Sequence, residues 1–107
     1  MTYKVILSPE AEHQLLQAAA WYRRRDSGVA LEWYNGFLDA IFKIGIHPRQ
    51  YSISRENDRF AVELRELLYG SGRRKTHRAV FRIVVDRVEV VAIRHLAQRD
   101  LDPTDIG

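Results

Sequence analysis

The chain has 107 residues, a formal net charge of +3 and 46% hydrophobic residues. This length is enough for one domain, predicted to span residues 1–107, and too short for two. The sequence contains no cysteine, which excludes disulfides and cysteine-ligated zinc. No apolar run approaches the roughly 18 residues of a membrane span, so we expect a cytoplasmic protein with no membrane partner.

The N-terminal part predicts a short strand, Tyr3 to Leu7, followed by a helix. Ser8 can cap this helix with its side chain, and Pro9 suits the first helical position, where a missing N–H needs no partner. Apolar residues then recur at helical spacing as far as Tyr22. Three arginines at positions 23–25 end the helix, since cations favour the negative end of the helix dipole.

A second helix is predicted over roughly Val29 to Ile46, after a short break at residues 26–28. Its apolar face includes Trp33 and Phe37, and His47-Pro48 ends it because a residue before proline is disfavoured in helical geometry. Two helices joined by so short a link are expected to form an antiparallel hairpin.

Three strands are predicted in the second half of the chain, after a polar loop at residues 49–59. They are Phe60 to Leu68, Arg78 to Val85 and Arg87 to His95, with a tight link around Asp86 between the last two. The order β-α-α-β-β-β predicts an α+β fold, in which a small antiparallel-rich sheet packs on the helical hairpin.

Positive charge is concentrated in residues 73–99, which carry eight Lys/Arg against two acids, whereas residues 1–72 are balanced. A basic patch on a sheet suits a polyanionic partner. The candidates for nucleic-acid binding are Arg73, Arg74, Lys75, Arg82 and Arg99.

Alternation along the Arg78 strand separates its side chains into two faces. The face with Ala79 and Phe81 is apolar and should pack on the helices. Arg78 and Arg82 are then expected on the open face, beside Glu63 and Arg65, where planar guanidinium groups would match phosphate oxygens. The alternative is that these are ordinary solvated charges, with Glu63 paired to an arginine.

Cleavage of RNA by its own 2′-oxygen requires a base, cations at the phosphate and a proton donor for the leaving oxygen. Glu63 could be the base, Arg65 and Arg78 the cations and His95 the donor. The alternative for His95 is a solvated or hydrogen-bonded residue at a strand end. The four histidines have no paired metal-ligand spacing, so neither a metal nor another cofactor is expected.

Four short segments resemble the RelE/ParE toxins of type II toxin–antitoxin modules. Residues 3–12 are similar to the opening of that family, residues 65–70 to its middle strand and turn, residues 77–83 to its core strand and residues 93–100 to its closing motif. The four occur in the family's order and cover nearly the whole chain, and the family has the β-α-α-β-β-β pattern.

The resemblance implies a toxin held inactive by a cognate antitoxin, which typically has a DNA-binding part and a C-terminal segment that wraps the toxin. One branch of the family cleaves mRNA in the ribosomal A site without a metal, and the other inhibits DNA gyrase without hydrolysis. Arg78 and Arg99 fall at the family's core-strand and closing-motif arginines, and His95 falls at a histidine common to both branches. The chain departs from the family at His77, usually tyrosine, and at Gln98, usually arginine.

Ribosome-associated mRNA cleavage is therefore the first hypothesis, because Glu63, Arg65, Arg78 and His95 could assemble on one face. The long helical hairpin is typical of the other branch, so a non-catalytic gyrase inhibitor is the alternative. A third hypothesis is an inactive relative that still binds an antitoxin.

Overall fold

The computed structural model describes residues 2–106, which form two helices and a five-stranded mixed sheet. In chain order the elements are β1 (Lys4–Leu7), α1 (Pro9–Arg23), α2 (Ser27–Lys43), β2 (Ser52–Ile53), β3 (Arg65–Tyr69), β4 (His77–Val84) and β5 (Arg87–His95). The sheet order is β1-β5-β4-β3-β2, with β1 parallel to β5 and the other neighbours antiparallel. The predicted α+β fold and element order are confirmed, with the two-residue β2 added. Within these residues no helix is long and apolar enough to cross a membrane.

Local capping sets where both helices begin. The Ser8 side chain accepts the backbone N–H of Ala11 at 3.1 Å, which confirms the predicted start of α1. Asp26 accepts the N–H of Val29 at 3.1 Å, so α2 begins two residues earlier than predicted. The same helix ends at Lys43, three residues before the predicted end, and the chain then turns.

The main core lies between the helical hairpin and one face of the sheet. It contains Leu15 from α1, Trp33 and Phe37 from α2, and Phe81 and Val90 from β4 and β5. The apolar face predicted for the Arg78 strand therefore packs on the helices as expected.

A second, smaller core covers part of the opposite face of the sheet. Its buried members are Leu64, Val80, Val91, Ala92 and Leu101, with Phe60 and Ile106 packed against them. A β-bulge in β5 contributes to this cluster, since Val91 is an extra residue between the partners of Phe81 and Val80. The prediction that this face is open is wrong, because residues 54–64 and 96–106, here called the covering segments, fold across it.

The predicted strand over Phe60 to Leu68 is wrong in its first half, since β3 begins at Arg65. The Leu64 carbonyl accepts the N–H of Ser54 at 2.7 Å, and the Leu64 N–H donates to the Asn57 side chain at 2.8 Å. These bonds turn the segment back onto the preceding loop. The apolar alternation at Phe60 and Leu64 reflects their packing over the sheet rather than a strand within it.

Candidate functional site

Arg78 lies on β4 with its side chain on the face away from the helices, as predicted, but that side chain is fully buried. Its Nη1 donates to Glu56 Oε1 at 2.6 Å and to Glu66 Oε1 at 3.1 Å, and its Nη2 donates to Glu56 Oε2. Burial alone would lower the pKa of Arg78, but the two carboxylates raise it above its ordinary value. The guanidinium expected to face solvent is therefore held inside the protein by two acids.

Glu56 joins three separate parts of the chain. Besides Arg78, its carboxylate accepts the Ser54 hydroxyl at 2.6 Å and the backbone N–H of Leu101 at 2.8 Å. Burial alone would raise the pKa of Glu56, but the hydrogen bonds from Arg78, Leu101 and Ser54 lower it to about 2. The ionised carboxylate thus fastens both covering segments to β4.

Arg94 and Arg99 extend this arrangement towards the end of β5. Arg94 is the cross-strand partner of Arg78, is also buried, and donates from Nη2 to the Arg99 carbonyl at 2.6 Å. Burial lowers the pKa of Arg94. Arg99, predicted to bind nucleic acid, is exposed, and its guanidinium contacts both oxygens of Asp105 at 2.7 and 2.8 Å. Its charge is therefore largely balanced by a neighbour.

Arg65 and Glu63 lie together, but on the helix side of the sheet. Arg65 is directly opposite Phe81, a member of the main core, and directly opposed residues share a face. Its Nη1 donates to the carbonyls of Arg49 and Tyr51 at 3.0 and 2.7 Å, and its Nε donates to Glu63 at 3.0 Å. The alternative in which Glu63 pairs with an arginine is therefore the arrangement in the structure.

His95 lies at the end of β5, directly opposite His77, with the two ring centres 5.0 Å apart. Nδ1 of the exposed His95 accepts the backbone N–H of Ala97 at 3.0 Å. His77 is buried, and burial together with the charge of His95 lowers its pKa to about 4. Both rings line a cavity of about 460 Å³ beside α1, here called the histidine cavity.

The four residues predicted to act together in RNA cleavage are not brought together. Arg78 is on the face away from the helices, whereas Arg65 and His95 are on the helix side. The β4 residues opposite Arg65 and His95 are four positions apart, or about 13 Å along the strand. Glu63 contacts Arg65 alone among the four. These four residues therefore do not place a base, a cation and a proton donor around one point.

The remaining nucleic-acid candidates differ in whether their positive charge is paired with a carboxylate. Arg82 pairs with Glu89 at 2.7 Å, and that carboxylate also accepts from Arg87. In contrast, Arg73, Arg74 and Lys75, here called the basic loop, are exposed in the connection between β3 and β4. None of the three forms an ion pair within residues 2–106. The basic loop is therefore the part of the predicted surface with uncompensated charge.

Sequence reasoning missed Glu56, Glu66 and Arg94 as members of a buried charged cluster. One signal was present in the sequence. Arg78 stands directly before two apolar residues in a strand with period-two patterning, which indicates that its side chain could be buried. A buried arginine requires a carboxylate as its partner. Which carboxylate it binds could not be read from the sequence, because Glu56 is 22 residues away in an irregular loop. In the described part of the chain, no three His, Cys, Asp or Glu side chains are grouped so as to hold a metal ion.

The helical hairpin and the mixed sheet define a small α+β protein with the element order that the resemblance to the RelE/ParE family implied. A sequence model of the family described as the ParE toxin of the type II toxin–antitoxin system parDE matches residues 5–100. The chain therefore belongs to the ParE toxin family, and the resemblance inferred from its motifs is confirmed. A comparison with curated proteins found no match.

Proposed function

We propose that this member of the ParE toxin family arrests growth by binding DNA gyrase, without cleaving RNA. Family membership gives the broader class, the toxin of a type II toxin–antitoxin module that is paired with a cognate antitoxin. The observation that carries the finer proposal is the enclosure of Arg78 by Glu56 and Glu66. A cation already saturated by two carboxylates is not available to a scissile phosphate.

The positions of the other nuclease candidates support the same proposal. General acid–base catalysis requires each group to lie within hydrogen-bond reach of the proton that it transfers. His95 and the Glu63–Arg65 pair are separated along the sheet, and Arg78 is on the opposite face. A binding mechanism needs no such convergence, since it requires only a stable surface that fits its target.

The basic loop is the surface that we expect to contact the DNA held by gyrase. Its three cations are exposed and carry no ion pair within residues 2–106, so they can displace counterions from a phosphate backbone. Replacing residues 73–75 by alanine should weaken both gyrase inhibition and growth arrest. The matched control is alanine at Arg23, Arg24 and Arg25, which removes the same charge at the end of α1.

Expression of the toxin without antitoxin tests the proposal, with plasmid supercoiling and mRNA 5′ ends measured after induction. We expect growth arrest, loss of supercoiling and intact mRNA, and we expect purified toxin to inhibit gyrase on relaxed plasmid. Translation-dependent cuts within codons, with supercoiling unchanged, would instead establish the nuclease. A soluble product that causes no arrest would identify an inactive relative.

Glu63→Gln separates the two mechanisms most cleanly. Glu63 is exposed and contacts Arg65 alone among the candidates, so this substitution preserves the fold. Growth arrest should be unchanged if the toxin acts by binding, and it should be relieved if Glu63 is the base. Arg78→Ala cannot serve this purpose, since it would leave the buried Glu56 carboxylate unpaired and destabilise the fold by about 3 kcal/mol or more.

A further inference from the structure

The histidine cavity lies between α1 and the ends of β4 and β5, and Arg94 of the buried charged cluster is among the residues that line it. Its volume of about 460 Å³ is within the range of small-molecule sites. Aromatic side chains form much of its wall: Tyr22 from α1, His77 from β4 and His95 from β5, with the half-exposed Trp21 at its edge. Such walls suit a flat, unsaturated ring, which can stack on them.

Two glutamine side chains give the cavity a defined hydrogen-bonding character. The carbonyl oxygen of Gln14 accepts the backbone N–H of Ile93 at 2.8 Å, and that of Gln98 accepts the N–H of His95 at 2.7 Å. Both amides line the cavity. The backbone N–H takes one acceptor site of each oxygen and fixes the orientation of the amide, so the NH₂ group is the donor that each glutamine presents to a ligand.

The histidines reinforce this donor character. Nδ1 of His95 accepts the backbone N–H of Ala97, so the proton of the neutral ring is on Nε2. His77 is held neutral at physiological pH because burial lowers its pKa to about 4. The cavity therefore offers donors and aromatic faces, and the buried Arg94 also lines it, which favours a ring rich in acceptor atoms.

The basic loop lies next to the cavity opening. A shallow groove beside the cavity is lined by Arg74, Lys75, Thr76 and His95, so the His95 ring belongs to both. Arg74 and Lys75 are exposed and form no ion pair within residues 2–106. A ligand with its ring in the cavity could thus extend an anionic group to these two cations.

We propose that the histidine cavity and the basic loop form a nucleotide-binding site, with the base in the cavity and the phosphate at Arg74 and Lys75. Base edges with carbonyl and ring-nitrogen acceptors, such as the O6 and N7 of guanine, match the donors of Gln14 and Gln98. The nucleotide can be free or an unpaired residue of a nucleic-acid strand, since both present the same base and phosphate. The proposal does not depend on whether the toxin inhibits gyrase.

Titration of the purified chain with GMP, AMP, UMP and CMP tests the site, with tryptophan fluorescence and calorimetry as readouts. Trp21 lies at the cavity edge, so a bound base should quench its emission. We expect saturable binding of at least one nucleotide, with ribose 5-phosphate and inorganic phosphate much weaker. Absence of saturable nucleotide binding, or equal binding of ribose 5-phosphate, would overturn the proposal.

Gln14→Glu and Gln98→Glu test the donor pattern at minimal steric change. Each keeps the oxygen that accepts a backbone N–H and replaces the donating NH₂ by a second acceptor. We expect each to weaken nucleotide binding by about tenfold or more. Gln50→Glu, an exposed position in the turn after α2, adds the same charge elsewhere and should bind normally. Equal affinities for these variants and the control would contradict the proposal, provided that their thermal melts show intact folds.

Two further comparisons identify the phosphate site and the source of the nucleotide. Alanine at Arg74 and Lys75 should lower affinity and flatten its salt dependence, whereas alanine at Arg23 and Arg24 should not. Unchanged affinity in the first variant would refute the phosphate contact. A short single-stranded oligonucleotide that binds more tightly than every mononucleotide indicates a nucleic-acid strand as the ligand, and preference for a mononucleotide indicates a free nucleotide.

Discussion

The guanidinium of Arg78 and the carboxylate of Glu56 form an ion pair in which both side chains are wholly excluded from solvent. Arg78 belongs to β4, and Glu56 belongs to the covering segment that crosses the sheet. The same carboxylate accepts the N–H of Leu101 from the second covering segment. This pair therefore determines whether the face of the sheet opposite the helices is closed.

Glu56→Gln should destabilise the protein strongly, because it leaves the buried Arg78 with only Glu66 as a counter-charge. Removing one partner of a buried ion pair costs about 3 kcal/mol or more, and we expect a loss of that size in the free energy of unfolding measured with urea. The double variant with Glu56→Leu and Arg78→Met, which removes both charges, should recover most of the stability.

Glu63→Gln is the matched control for this prediction, since Glu63 pairs with Arg65 at the surface. An exposed pair contributes only about 0–1 kcal/mol, so this variant should remain close to the parent. If Glu56→Gln and Glu63→Gln reduce the free energy of unfolding equally, the Arg78 pair has no special structural role.

The elements that were predicted well are those whose formation depends on residues close together in the chain. Capping by Ser8 and the period-two pattern of β4 and β5 depend on residues near one another in the chain, and both were confirmed. Phe60 and Leu64 misled the strand assignment because their alternation satisfies packing over the sheet equally well. Local periodicity cannot distinguish a side chain buried on a strand of the sheet from one buried by a segment that packs over the sheet.

The candidate site was predictable in composition but not in arrangement. Alternation correctly placed Arg78 away from the helices, yet its exposure depended on the covering segments, whose contacts are nonlocal. Arg65 was assigned to the wrong face because its register with Phe81 is set by pairing with β4, which alternation within one strand does not determine. The histidine cavity also required tertiary information, since it joins His77 and His95 to α1.

His77 should make the fold less stable in mild acid. Its pKa falls from an ordinary 6.5 to about 4 in the folded protein, so the unfolded chain binds the proton more readily between these values. Stability from this group is complete above pH 6.5 and is lost as the pH falls towards 4. By linkage, the free energy of unfolding should fall by about 2 kcal/mol between pH 7.5 and pH 5.

Urea unfolding at pH 7.5 and pH 5 measures this effect, with His77→Phe as the comparison. Phenylalanine keeps a ring against Trp33, whose centre is 4.9 Å from that of His77, but it cannot be protonated. Glu56, with its pKa lowered to about 2, stays ionised in the fold over this range. An equally large pH dependence in the phenylalanine variant would show that other groups are responsible.

Val85→Gly should stabilise the protein, although it removes an apolar side chain. Val85 lies in the two-residue turn between β4 and β5, has a φ of 52° and is 89% exposed. A branched side chain is strained in this left-handed region, whereas glycine adopts it freely. We expect the midpoint of thermal unfolding to rise by roughly 2–4 °C. Val62→Gly, at another exposed valine without positive φ, should lower it, and a fall in both variants would contradict the argument from strain.

Gly45→Ala should weaken the attachment of β1 to the rest of the fold. The Tyr3 N–H donates to the Gly45 carbonyl at 2.8 Å, and a Cβ at position 45 would lie 2.3 Å from the Tyr3 carbonyl oxygen. Since that oxygen belongs to the backbone, relief of the clash requires the chain leading into β1 to move. Overpacking of this kind costs about 2 kcal/mol, measurable by urea unfolding, and amide exchange in residues 4–7 should accelerate. Gly28→Ala, whose added Cβ would be no closer than 3.3 Å to Asp26, is the control, and equal stability of the two variants would contradict this account.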